Sequence, residues 1–193
     1  MHQYEDKPHL GGTWAGGDPN AWSPAAWDRI IADKKIENVI DIGCGEGYSS
    51  KYFQDKGMVV LCIEGGGKAV DVCRTKKLPV IQHDYTEGIY KPETTFDLGW
   101  CCEFVEHVTE AHMNNFLETF KHCKYLAMTH AFPGQPGHHH VNCQLPEYWI
   151  PKIEALGFRL DLPYTLVLRE LASDALHINR SLLFFEKISI TTE

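Results

Sequence analysis

At 193 residues, 44% of them apolar and 11% aromatic, the chain suits one globular domain with a sizeable core and is not a disordered polypeptide. Its formal charge of −8, with no extended basic run, disfavours a nucleic-acid surface and points to a small-molecule partner. Seven cysteines without regular metal spacing, no signal peptide and no apolar run of about 18 residues read as a reduced, cytoplasmic protein that does not cross a membrane, with cysteines such as Cys44 and Cys62 serving as small core residues.

Residues 1–22, including Gly11-Gly12-Thr13-Trp14-Ala15-Gly16-Gly17-Asp18-Pro19, lack periodicity and read as a flexible N-terminal arm, with the folded domain at 23–193. Ser23 and Pro24 then supply an N-cap and a first helical residue, and Trp27, Ile30 and Ile31 share one face of the helix they open. Residues 36–40 are apolar and β-branched, as a short buried strand requires. Asp41-Ile42-Gly43-Cys44-Gly45-Glu46-Gly47 follows, and an amphipathic helix begins at Tyr48. Glycines between a strand and a helix permit positive φ and let backbone N–H groups approach a ligand that a Cβ would repel.

A second apolar strand at 58–63 ends in Glu64 and Gly65-Gly66-Gly67, where an acid can accept hydrogen bonds from both hydroxyls of a ribose. A third strand at 79–82 ends at His83-Asp84, and a fourth at 95–100 leads into Cys101-Cys102-Glu103. All four special segments therefore lie at strand C-termini, where open α/β sheets bind ligands. Thr109 is a plausible N-cap for a helix carrying Met113, Phe116, Leu117 and Phe120, and residues 124–129 supply a fifth strand. Residues 146–156 read as a helix closed by Gly157 and kinked or shortened by Pro151.

In order and spacing, D-I-G-C-G-E-G at 41–47, Glu64, His83-Asp84 and F-D-L-G-W-C-C-E-F-V-E-H-V at 96–108 resemble class I S-adenosylmethionine-dependent methyltransferases over residues 36–187. The resemblance implies an α/β, Rossmann-like, seven-stranded sheet, mostly parallel with an antiparallel final strand, and helices on both faces. Residues 158–168 and 181–190 would be its antiparallel closing strands, joined by a polar connection over 169–180. It further implies that Asp41, Gly43 and Gly45 surround the methionine part of the cofactor, that Glu64 holds the ribose, that Asp84 lies near the adenine, and that Gly65 and Glu103 also belong to the cofactor site. A dinucleotide site would need a third small residue where Tyr48 stands. Segments like the arm commonly cover the cofactor mouth in this family, which makes Trp14 and Trp22 candidate lid residues, against the plainer reading of a tail that packs where it can.

Glu103, Glu106 and His107 stand at i, i+3 and i+4 and would share one face of a helix, a mixed oxygen and nitrogen set suited to Mg²⁺, Mn²⁺, Fe²⁺ or Zn²⁺. The loop after the fifth strand carries His138-His139-His140. This arrangement is similar to the E-x-x-E-H motif and distal histidine of small-RNA 3′-terminal 2′-O-methyltransferases and ubiquinone-pathway O-methyltransferases. On that resemblance Glu103, Glu106, His107 and His139 are the metal ligands, with His140 next in line for the fourth place, and Glu106 and His107 are the catalytic pair. The loop G-H-H-H-V-N-C-Q lacks the R-H-x-D-H pattern of the RNA enzymes, which leaves both the fourth ligand and an RNA substrate open. The alternative is a metal-free site in which His107 is a general base or lines the pocket. His138, like His2, His9, His112 and His122, reads as a solvated histidine.

The expected function is O-methylation of a small hydroxylated molecule or glycan, metal-assisted. The alternatives are a metal-independent N- or carboxyl-methyltransferase and a non-catalytic cofactor-binding module. Trp100, Phe104, Phe132, Tyr148 and Trp149 are candidate acceptor-lining residues, each equally readable as core.

Overall fold

A computed structural model describes residues 7–10 and 12–188; His2, Gly11 and the end of the closing strand drawn to 190 lie outside them. Helix α1 (Pro24–Lys34) starts with proline in its first turn, where a missing N–H costs nothing, and turns Ala26, Trp27 and Ile30 inward. Strand β1 (Asn38–Ile42) is buried from Val39 onward, as a central parallel strand covered on both faces must be. The chain continues through α2 (Tyr48–Asp55), β2 (Val59–Glu64), α3 (Gly67–Thr75), β3 (Val80–Gln82), β4 (Phe96–Cys101), α4 (Met113–Phe120) and β5 (Cys123–Met128). It closes with α5 (Pro146–Glu154), β6 (Phe158–Leu160), α6 (Leu162–Leu171), α7 (Leu176–Ser181) and β7 (Leu183–Lys187).

These strands form one seven-stranded sheet in the order β3-β2-β1-β4-β5-β7-β6. The first five are mutually parallel, and β7 runs antiparallel between β5 and β6. Progress outward through β2 and β3 on one side and β4 and β5 on the other places a topological switch between β1 and β4, where such sheets bind ligands.

Alternation along the strands feeds two apolar layers. Ile40, Leu126, Met128 and Phe185 pack with Phe116, Phe120 and Trp149 from α4 and α5, while Val39, Ala127 and Phe184 pack with Trp27, Phe53 and Ile178 from α1, α2 and α7. Trp27 meets Trp100 edge to face at 5.8 Å and Phe53 at 5.6 Å. Each such fully buried side chain contributes about 1.5–3 kcal/mol, which holds the sheet edge that carries the site.

The structure corrects the reading of the C-terminal third. The strand expected over 158–168 stops at Leu160; Asp161 accepts the Tyr164 N–H at 3.0 Å, Pro163 fits the first turn, and the rest is α6. The supposed polar connection over 169–180 is largely helical and buries Ala172, Ala175 and Ile178 against the sheet. Thr109 precedes a 3₁₀ turn (Glu110–His112) rather than α4 itself, and its hydroxyl pairs with His112 Nδ1 at 3.0 Å. Helix α5 tolerates Pro151 and ends at Glu154, two residues short of the expected boundary, with Gly157 in the left-handed conformation beyond.

Candidate functional site

The site is built where β1, β2 and β4 end. Gly43 and Gly45 adopt φ of +72° and +56°, and the N–H groups of Gly43 and Cys44 both reach the Ile63 carbonyl, at 2.9 and 3.2 Å. A side chain at Gly43 would collide with Phe104, so the loop can lie this close only as glycine. Buried Asp41 closes the turn from below, accepting hydrogen bonds from Ser49 Oγ at 2.7 Å and Ser50 Oγ at 2.6 Å. Burial lifts its carboxyl to about 7, helped by the Cys62 thiol and opposed by both hydroxyls.

Glu64 ties the two glycine loops together, its carboxylate accepting the Gly45 N–H at 2.9 Å and the Gly66 N–H at 2.7 Å. Burial raises its pKa against the opposing effect of those N–H groups. Asp84 is also buried, and burial alone would raise its pKa. Hydrogen bonds from His9, Thr86 and Lys7 instead hold its carboxyl well below the ordinary range.

These groups line one cavity of about 680 Å³, within the span of small-molecule and cofactor sites. Asp41, Gly43, Gly45, Glu64, Gly65, Asp84, Glu103 and His107 all contribute to its wall. Of the expected acceptor-lining aromatics, Trp100 and Phe104 face it, whereas Phe132, Tyr148 and Trp149 do not.

The described part of the arm, read from the sequence as flexible, lies across the cavity and supplies His9, Thr13, Trp14, Asp18 and Trp22 to its lining. Its ties include a hydrogen bond from the Gly16 N–H to Glu46 at 3.1 Å, Trp22 packed edge to face on Trp27, and two sets of ionisable contacts. Lys7 Nζ and His9 Nε2 meet Asp84 Oδ2 at 3.0 and 2.8 Å, and Asp18 meets His177 Nε2 at 3.2 Å, with Glu103 3.3 Å from the other ring nitrogen. His177 carries no sequence signal, because its role depends on α7 packing under the 3₁₀ turn (Pro19–Ala21) of the arm.

The acid and histidine cluster differs from the helical face drawn from the sequence. Only Val105–His107 forms a turn, of 3₁₀ type, and Glu103 precedes it at φ +50°. That backbone turns Glu103 toward Thr129 Oγ1 at 2.9 Å, Gln135 Nε2 at 3.1 Å and His177, so it does not join the group that could hold an ion. His139, at φ +48°, instead has its ring beside His9, with centroids 6.1 Å apart. The group brought together is Glu106, His107 and His140, one ligand atom from each lying within 4.8 Å of the others.

Two features suit this group to a cation. Both Glu106 oxygens and His107 Nδ1 are buried without a hydrogen-bond partner among the described residues. His140 Nδ1 lies 3.0 Å from the Gln135 carbonyl, which as acceptor fixes the proton there and leaves Nε2 free to ligate. Burial, then the Glu103 carboxylate, push the Glu106 pKa well up, while burial and His140 bring His107 down to about 4. A neutral imidazole and a carboxyl that lacks a counter-charge form a donor set that a divalent ion would satisfy.

Residues 40–124 match a family described as a methyltransferase domain, from β1 to the start of β5, the half of the sheet that carries the cavity. No curated protein sequence matches the chain. Among solved structures, the glycopeptide N-methyltransferase MtfA complexed with S-adenosylmethionine is 11% identical, with TM-score 0.62 over 89% of this chain and 94% of that one. DhpI complexed with SAH is 14% identical, with TM-score 0.56 over 84% and 81%. The [4+2]-cyclase SpnF is also 14% identical, with TM-score 0.58 over 93% and 88%. The seven-stranded sheet is thus the Rossmann-like methyltransferase fold.

Proposed function

We propose that this chain is an S-adenosylmethionine-dependent methyltransferase, a reading that the methyltransferase-domain match over residues 40–124 and the fold support, and that it methylates a hydroxyl of a small molecule or glycan with the help of a divalent metal. The observation that carries this reading is the buried Glu106 carboxyl, without a hydrogen bond of ordinary geometry among the described residues and grouped with His140 and with His107, which lines the cavity.

Methyl transfer is an in-line displacement. The acceptor oxygen attacks the methyl carbon, the carbon–sulfur bond breaks, and the sulfonium leaves as a neutral thioether. The protein's task is to hold the two reactants aligned and dry. In this reading Asp41 and the bare backbone of Gly43 and Gly45 bind the methionine part, Glu64 and Gly65 the ribose, and Asp84 the adenine side. The arm, tethered at Asp84 and His177, excludes water.

An alcohol is a poor nucleophile until it loses its proton. With a pKa of about 4, His107 is neutral at working pH but a weak base, well short of what a hydroxyl requires. A divalent cation on Glu106, His107 and His140 would supply the missing Lewis acid and lower the hydroxyl pKa. A weakly basic His107 fits one specific alternative: a neutral amine attacks the methyl carbon without first losing a proton, so metal-free N-methylation needs no strong base at this position.

Purified protein incubated with labelled S-adenosylmethionine and sugar, phenol, amine and carboxylate acceptors, with and without chelator, decides between them. Transfer to a hydroxyl that is lost in chelator and restored by added Mg²⁺, Mn²⁺, Fe²⁺ or Zn²⁺ is the expected result. Undiminished transfer in chelator, with Glu106→Gln as active as the parent, overturns the metal. Transfer only to amines or carboxylates overturns the hydroxyl.

A further inference from the structure

Cys44 and Cys73 come together under the cofactor loop although 28 residues separate Cys73 from Gly45, the residue both thiols address. Cys44 stands between the two positive-φ glycines, and Cys73 projects from α3. Their sulfurs are 3.8 Å apart, and both donate to the same Gly45 carbonyl, at 3.4 and 3.3 Å. That peptide's neighbouring N–H is the one Glu64 accepts at 2.9 Å, so the thiols grip one side of a residue whose other side belongs to the cofactor site. Cys44 is among the residues that line the cavity and is partly buried, whereas Cys73 is buried.

We propose that Cys44 and Cys73 form a reversible disulfide under peroxide and that this bond shuts the cofactor site. In the first step one deprotonated sulfur attacks a peroxide oxygen, the O–O bond breaks, and the sulfur becomes a sulfenic acid as one water leaves. The second sulfur then attacks the first, the S–O bond breaks, and the hydroxyl departs with the remaining thiol proton as a second water. Two thiols are oxidised by two electrons and one peroxide is reduced. The two thiols differ: hydrogen bonds from Cys44 and Cys62 lower the Cys73 pKa, a shift that burial opposes, whereas the contacts with Cys62 and Cys73, then burial, raise that of Cys44, so Cys73 is the sulfur more readily deprotonated.

Bond formation must bring the sulfurs from 3.8 Å to about 2.05 Å. Helix α3 is anchored in the core by Ala69 and Val70, both fully buried, whereas Cys44 has glycine on each side. The loop yields. Gly45 is pulled toward α3, its N–H leaves Glu64, and the backbone that lines the methionine part of the cavity is displaced. The functional half of this inference rests on the cofactor reading of the cavity; the chemical half does not.

The test uses the full chain. Reduced protein is titrated with S-adenosylmethionine by calorimetry, treated with hydrogen peroxide, titrated again, and titrated once more after dithiothreitol. Intact mass and peptide mapping run in parallel. The expected result is a mass lower by two hydrogens, a Cys44–Cys73 peptide, a fall in affinity of tenfold or more, and recovery on reduction. Cys73→Ser should lose the peroxide effect, and Cys62→Ser, which removes the third nearby thiol, should keep it. Mapping to Cys62, or no disulfide at all, overturns the pair. A mapped disulfide with unchanged affinity overturns the shut site. If the reduced protein binds no S-adenosylmethionine, the cofactor reading fails instead, and mapping still judges the thiols.

Discussion

Gly43→Ala tests the loop most directly, because the structure supplies both parts of its cost. At φ +72° an L-residue is strained by about 1–2 kcal/mol. The new Cβ would also sit 2.3, 2.6 and 2.8 Å from Phe104 Cδ2, Cγ and Cβ, and since Phe104 Cβ is fixed to its own backbone the ring cannot simply swing aside. Overpacking of that kind adds about 1–3 kcal/mol. Alanine recovers about 0.4–1 kcal/mol by restricting the unfolded chain, leaving a net loss of about 1–4.5 kcal/mol. Gly57→Ala is the matched control: φ is +89°, nothing lies within 4 Å of the added Cβ, and only strain remains, a net loss of about 0.5–1.5 kcal/mol. In a domain stable by about 5–15 kcal/mol both variants fold. Urea midpoints measured side by side isolate the Phe104 contact, and the calorimetric affinity for S-adenosylmethionine should drop at least tenfold for Gly43→Ala and stay level for Gly57→Ala. Equal destabilisation of the two variants would refute the loop geometry.

Three further outcomes follow from particular contacts. Glu64→Gln turns one of two N–H-accepting oxygens into a donor facing a donor, and should weaken cofactor binding by about 2 kcal/mol, roughly thirtyfold, by calorimetry; unchanged affinity would remove Glu64 from the site. Asp84→Asn removes the carboxylate that holds Lys7 and His9, so hydrogen exchange in the described part of the arm should accelerate roughly fivefold, for a loss of about 1 kcal/mol, while the core stays protected. His177 has a raised pKa, chiefly from its hydrogen bond to Asp18, so its stabilising contribution is complete below the unfolded value of about 6.5 and disappears as pH rises through the higher folded value. Denaturation from pH 6 to 9 should show that slope in the parent protein and a flatter one in His177→Ala; identical slopes count against the clasp.

Much of the site was legible in the chain because its parts are local. A β-branched run, three glycines at alternate positions and a helix start fix a strand–turn–helix regardless of what packs on it, and an acid at the end of the next strand can face only that turn. Asp41, Gly43, Gly45, Glu64, Gly65 and Asp84 all lie in the wall of one cavity. The region after β6 was misread because short apolar runs suit strand and helix alike, although Asp161 with Pro163 was a helix-start signal available in the sequence.

What the sequence could not determine were the side chains whose direction depends on the backbone or on distant elements. A single left-handed residue at Glu103 directs its carboxylate to Thr129, Gln135 and His177, and another at His139 leaves His140 to join Glu106 and His107. Both are ordinary residues in a conformation that propensity assigns to glycine or asparagine, held there by surrounding contacts that sequence spacing does not record. The arm follows the same logic: without periodicity of its own, it gains its place from residues such as Asp84, His177, Glu46 and Trp27, which meet it through the folding of distant parts of the chain.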